Sequence, residues 1–128
     1  MLPDKSVIDT AALTGLGEFC DIDVLRKLVD TFLNQAPNQM ASARIHLKRR
    51  EMAEAARAIH TLRSGIGTLG AKEMDPLARS FETLATEDEI GKHVDELAAI
   101  LDNLETAFSA AAAELQALMA TPDRFMPA

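Results

Sequence analysis

At 128 residues the chain is long enough to bury a core of its own and short enough to form one domain. A net charge of −7 argues against a nucleic-acid partner, no apolar run approaches the ~18 residues of a membrane span, and the single cysteine, Cys20, has no mate for an internal disulfide. Apolar residues make up 48% of the chain without any Trp or Tyr, so Ala, Leu and Met carry the load and favour helix over sheet; a reducing, cytoplasmic setting is expected.

Residues 1–6 read as a frayed start. Asp9 is placed to cap a short helix carrying Ala12, Leu13 and Leu16, with Gly15 and Gly17 to stop it. Asp21 or Asp23 caps a second helix with apolar positions Leu25, Leu28, Val29, Phe32, Leu33 and Ala36. Pro37 should kink or interrupt it. Met40, Ala43 and Leu47 then resume the stripe, which predicts one long, bent element ending at the basic run Lys48, Arg49 and Arg50. A third helix is expected from about Glu51 to Leu69, and a tight link at Gly70 and Ala71 leads into a fourth. That helix would bury Met74, Leu77, Ala78, Phe81, Leu84 and Ala85, with Pro76 tolerated in its first turn.

The fifth helix has the plainest pattern. Ile90, Val94, Leu97, Leu101, Leu104, Phe108, Ala111, Leu115 and Leu118 repeat at 4-3 spacing. At about 1.5 Å per residue it would span roughly 45 Å. Its alanine-rich end, from Ala110 onward, is expected to project beyond its neighbours or to serve a dimer seam. Residues 121–128, with two prolines, read as a disordered tail, which leaves residues 1–120 as a single domain. The predicted architecture is all-α: an up-down antiparallel four-helix bundle with a short extra N-terminal helix.

The third helix carries the unusual chemistry. Projected at about 100° per residue, Ile59, Leu62, Ile66 and Leu69 form one apolar stripe. His60, Arg63, Ser64 and Gly67 form a second stripe, roughly a third of a turn away. An interior glycine costs about 1 kcal/mol against Ala, so Gly67 suits a place where another surface comes close to His60. Gly70 stands where a C-terminal glycine would end the helix. Between Arg44 and Arg63 there are six basic and two acidic residues, a local +4 that leaves −11 for the rest of the chain. Helix-end placement accounts for Lys48, Arg49, Arg50, Glu51 and Glu54. Arg57 and Arg63, three residues either side of His60, suit an anionic ligand or an acidic partner instead.

His60-Thr-Leu-Arg-Ser-Gly-Ile-Gly-Thr-Leu-Gly70 resembles the His-x-Leu-Lys-Gly-x-x-x-x-Leu-Gly signature of histidine-containing phosphotransfer (HPt) domains of bacterial two-component phosphorelays. Phe32 followed by Ala36-Pro37 is similar to the family's second helix, and the resemblance runs over about residues 7–108. Two positions depart from it: Arg63 stands for the usual Lys, and Ser64, which adds a side chain beside the histidine, stands for the usual Gly. The resemblance implies a carrier that takes a phosphoryl group on His60 from a receiver-domain aspartyl phosphate and passes it to another receiver aspartate. It also implies response-regulator receivers or a hybrid sensor histidine kinase as partners, Mg2+ supplied by the receiver and no cofactor of the chain's own. Arg63 would lend charge to the phosphoryl oxygens and Ser64 a hydrogen bond, while Ala56, Arg57, Ser64 and Gly67 are the candidate partner-binding positions. A monomer is expected, with a fifth-helix dimer as the other arrangement.

If the third and fourth helices are antiparallel about residue 71, His60 and Glu82 lie eleven residues either side and therefore level. Glu82 would then accept from Nδ1–H and leave Nε2 as nucleophile; the plain alternative is one more solvated acid. A neutral imidazole is a competent nucleophile near neutral pH, and phosphoryl transfer needs in-line placement and charge neutralisation above all. No Gly-rich phosphate loop accompanies it, so neither ATP binding nor kinase activity is expected. Two other readings compete: a metal or haem bundle using His46, His60, His93 or a Met, although no two histidines stand at i, i+3 or i+4, and an interaction scaffold in which His60 is incidental. Cys20 has no acid–base pair around it in sequence.

Overall fold

The computed structural model describes residues 7–88 and 90–121, and every regular element among them is helical. The helices are α1 (Thr10–Gly17), α2 (Ile22–Lys48), α3 (Met52–Leu69), α4 (Met74–Glu87) and α5 (Val94–Ala120). α2 packs on α3, α3 on α4, α4 on α5, and α5 back on α2, which closes a ring; α1 packs on α2 and α3. Leu25, Ile59, Ile66, Phe81, Leu97, Leu101, Leu104 and Leu115 are fully buried within that ring. The frayed start expected at 1–6 lies outside the described residues, and so does the expected tail apart from Thr121, which caps α5.

Short side-chain oxygens start the first two helices. Asp9 accepts from the Ala11 N–H at 3.1 Å and Asp21 from the Val24 N–H at 2.9 Å. Asp23 instead occupies the first turn of α2, where its charge complements the helix dipole. Gly15 does not stop α1: the helix runs through it to Gly17, held down by the fully buried Leu13. α2 continues through Pro37 for 27 residues. Burial of Ala36, Met40 and Ala43 on both sides of the proline outweighs the roughly 3 kcal/mol that an interior Pro costs. Leu28, expected on the apolar face, is 36% exposed, and Leu33, Leu77 and Leu84 are half-buried.

Two knots of backbone bonding close the ends of the bundle. At one, Gly70 ends α3 in the left-handed conformation (φ 71°). The Asp9 N–H donates to the Gly70 carbonyl at 2.6 Å, and a Cβ at position 70 would stand 2.6 Å from the Asp9 carbonyl oxygen. The Val7 and Ile8 N–H groups donate to Glu114 of α5 at 2.7 and 3.0 Å. The alanine-rich end of α5 therefore does not project. Ala111, Leu115 and Leu118 are buried, and Arg26 of α2 donates to the Met119 carbonyl at 3.3 Å.

At the other end, Arg50 adopts φ 58° after α2, and its Nη1 donates to the Gly91 carbonyl at 2.8 Å. This joins the α2–α3 turn to the α4–α5 turn. Asp88, 3% exposed, accepts from the Lys92 and His93 N–H groups at 2.7 and 2.8 Å. Burial pushes the Asp88 carboxyl up, but the His93, Lys92 and Gly91 N–H groups and the charge of His93 outweigh that and hold it below the usual carboxylate range. This turn takes up the residues through His93, so Ile90 is not part of α5 as its spacing predicts; it is 70% exposed. Arg44 fastens α2 to α5 through Asp102 at 2.7 Å and Glu105 at 3.0 Å, bonds that raise its pKa further above the ordinary value.

Candidate functional site

α3 is amphipathic as its spacing predicts. Ile59, Leu62, Ile66 and Leu69 are all buried, which fixes the helix in rotation and turns His60 outward with its side chain 69% exposed. Ala55 and Ala58 bury the turn before it. The imidazole is thus presented from a rigid element whose opposite face is core.

Glu82 reaches that imidazole from α4. Its Oε1 lies 2.6 Å from Nδ1 of His60 and its Oε2 lies 3.1 Å from Nη1 of Arg63. A carboxylate oxygen accepts, so this contact suits a proton on Nδ1, and in a neutral imidazole with that proton the lone pair is on Nε2. Phe81 and Ala85, both buried, anchor α4 on either side of Glu82, whose own side chain is only 14% exposed. The two oxygens of one carboxylate are therefore divided between two side chains of α3.

That division changes what the two arginines do. Arg63 does not extend freely toward an incoming anion: its guanidinium lies against Glu82, and its Nε is buried without a hydrogen-bond partner. Arg57 pairs with Glu54 at 3.1 Å along its own helix. Ser64 is exposed one turn beyond His60, Ala56 is half-buried one turn before it, and Gly67 is exposed with nothing within 4 Å of a Cβ added there. Packing inside the chain does not require Gly67 to be glycine. It requires Gly65, where a Cβ would stand 2.5 Å from the Phe32 ring of α2. The sequence signal for Gly65 is that it is a second interior glycine of α3 with no capping duty. Phe32 in turn packs on Phe108 of α5, ring centroids 5.7 Å apart, so three helices meet at that point.

The other histidines stand apart from the site. His46 contacts Glu51 at 3.2 Å and His93 lies 3.7 Å from Glu96. Among the described residues no group of three or more His, Cys, Asp or Glu side chains is placed to hold a metal ion, and no helix is long and apolar enough to cross a membrane. Cys20 is half-buried and free.

The sequence model of the Hpt domain family matches residues 27–120. The chain belongs to the Hpt domain family. Hpt domains carry phosphoryl groups on histidine in phosphorelays, interact there with receiver domains and histidine kinases, and are carriers rather than kinases. The matched stretch begins inside α2 and ends with α5, so it takes in His60 and Glu82 and leaves α1 outside. It reaches further toward the C-terminus, and starts later, than the signature resemblance alone implies. No curated protein and no solved structure matches the chain.

Proposed function

We propose that this Hpt domain accepts a phosphoryl group on Nε2 of His60 from the aspartyl phosphate of a response-regulator receiver domain and delivers it to a second receiver aspartate. The observation that carries this reading is the 2.6 Å contact between Glu82 and Nδ1 of an otherwise exposed His60. With the proton held on Nδ1, the Nε2 lone pair attacks phosphorus and a P–N bond forms. The P–O bond to the aspartate breaks, and the carboxylate leaves with that electron pair. The ring now carries phosphoryl at Nε2 and hydrogen at Nδ1, and Glu82 offsets its charge. The reverse sequence on another receiver returns the imidazole, so no net proton is consumed.

In this reading His60 is the acceptor, Glu82 orients it, and Arg63 belongs to the same group through Glu82. Ala56, Arg57, Ser64 and Gly67, which surround His60 on α3, are proposed to meet the partner. Mg2+ and the acidic pocket belong to the receiver. The four long helices are read as an up-down antiparallel bundle within one domain spanning residues 1–120. The three-residue α2–α3 link supports this, as do contacts between α2 and α5 in which Arg26 meets Met119 while Arg44 meets Asp102. The domain is proposed to act in the cytoplasm as a monomer.

The test is incubation with a phosphorylated receiver and Mg2+, followed by intact mass. The expected result is one added phosphoryl group, labile in acid and stable in alkali, and absent from His60→Gln. Failure of transfer from a panel of active receivers to the folded protein would leave the scaffold reading in its place.

A further inference from the structure

Arg63 sits where a free cation would not settle. Its side chain is 28% exposed, and its Nε is buried with no hydrogen-bond partner. An N–H buried without a partner opposes that placement, so a stronger contact has to hold the guanidinium there. Among the described residues that contact is Glu82, whose Oε2 accepts from Nη1 at 3.1 Å. The bond is charge-assisted, and the Glu82 side chain is only 14% exposed, so water competes with it weakly.

No neighbouring charge takes over this task. Arg79 and Glu87 line a shallow hollow between α3 and α4 together with Arg63 and Glu82. Arg79, however, pairs with Asp75 of its own helix at 2.8 Å, and Arg57 pairs with Glu54. Where α2 meets α3 beside Thr61 and Ser64, the surface has no ionisable side chain among its lining residues. Glu82 therefore serves His60 and Arg63 alone.

The last torsion of a glutamate side chain is soft, and a carboxylate tethered by one oxygen can swing about it. Here both oxygens are tethered: Oε1 lies 2.6 Å from Nδ1 of His60 and Oε2 is held by Arg63. His60 and Arg63 are three residues apart on one face of α3, so the helix itself fixes the spacing of the two contacts. Without Arg63, Glu82 would keep a single tether, to a ring whose side chain is 69% exposed. An exposed ring against a loosened acceptor is free to turn and to carry its proton on either nitrogen.

We infer that Arg63 is a positioning residue for the transfer and acts through Glu82, not by touching the phosphoryl group: it pins Oε2, so that Oε1 stays on Nδ1 and favours the tautomer whose lone pair is on Nε2. This rests on the phosphocarrier reading above and adds to it how the acceptor nitrogen is selected. Only Nη1 is engaged with Glu82, so a lysine ammonium within reach of Oε2 should serve in its place.

The experiment loads the full chain with phosphoramidate, a donor that needs no protein docking, and records the 15N shifts of the His60 ring before loading. The variants are Arg63→Gln, Arg63→Lys, Glu82→Ala, the double variant of Arg63→Gln with Glu82→Ala, and Arg79→Gln as a control from the same hollow. Helicity and urea denaturation establish that each is folded. Arg63→Gln is expected to load about three- to tenfold more slowly, with ring shifts moved toward the Nε2–H tautomer. Arg63→Lys and Arg79→Gln should load within about twofold of wild type with its ring shifts. In the Glu82→Ala background, Arg63→Gln should change the rate less than about twofold and leave the ring shifts where Glu82→Ala puts them. An equal loss from Arg63→Gln in both backgrounds overturns the inference and gives Arg63 a direct contact with the phosphoryl group. A loss seen only when a receiver is the donor overturns it in favour of docking. A wild type that phosphoramidate does not phosphorylate on His60 removes the carrier reading, and the role of Arg63 in transfer with it. A wild type that loads normally, with ring shifts unchanged in Arg63→Gln, removes the Arg63 assignment alone.

Discussion

Glu82 and His60 face each other across the α3/α4 contact, Oε1 to Nδ1 at 2.6 Å, from positions eleven residues either side of Ala71. Removing the carboxylate frees the ring to rotate and to place its proton on either nitrogen. Glu82→Ala is expected to slow phosphorylation of His60 by about ten- to a hundredfold, the scale of a misoriented nucleophile. Glu82→Gln keeps an acceptor oxygen for Nδ1–H and should retain most of the rate. Transfer rates together with the 15N shifts of the ring, which report the tautomer, check both statements.

The two interior glycines of α3 should respond with opposite signs. Gly65→Ala forces the Phe32 ring off its seat against Phe108 and is expected to destabilise the fold by about 1–3 kcal/mol. Gly67→Ala meets nothing within 4 Å and should stabilise it by roughly 0.5–1 kcal/mol through helix propensity. Urea denaturation of the pair reads the difference. If Gly67→Ala also slows transfer while stabilising the fold, the close approach it permits belongs to the partner.

Acid stability should depend on Asp88. Its folded pKa is depressed, so its contribution is present above the unfolded value, near ~3.9, and is lost as pH falls through the lower folded value. Wild type should therefore be more stable than Asp88→Asn at neutral pH, and the gap should close as the pH falls below about 4. Denaturation midpoints taken across that range would show a gap that closes on acidification if Asp88 acts as described, and one that stays constant if it does not.

Arg44 joins α2 to α5 through two carboxylates but is partly solvated, with a side chain 30% exposed. Arg44→Ala is expected to cost only about 0.5–1 kcal/mol. The cost should shrink in ~1 M salt, where screening acts within a few ångströms. Chemical denaturation at low and high salt measures it.

Much of this fold is written in the spacing of its apolar residues. The buried stripe of α3, the aspartate caps of α1 and α2, and the left-handed Gly70 are local consequences of residue type at a given position, and the structure has each where the sequence places it. The failures are tertiary. Ile90 keeps the 4-3 rhythm of α5 yet is exposed, because Asp88 organises the preceding turn through backbone groups that no side-chain period records. The pairing of Arg63 with Glu82 of α4 is likewise a contact between helices that residue type on α3 alone does not reveal. Gly65 shows in the sequence as a second interior glycine of α3, but the reason for it, the Phe32 ring of α2 lying over it, is tertiary.

The bonds from Val7 and Ile8 to Glu114 link positions 107 and 106 residues apart. During synthesis the first buried side chains, Ile8 and Leu13, emerge long before the last helix is made. Until residue 114 has left the ribosome, Val7 and Ile8 have no anchor at α5, and the apolar groups of that segment remain available to chaperones or to misassembly. A chain cut short before residue 114 would lose more than part of that helix: it would lose the carboxylate that holds Val7 and Ile8, the residues leading into α1.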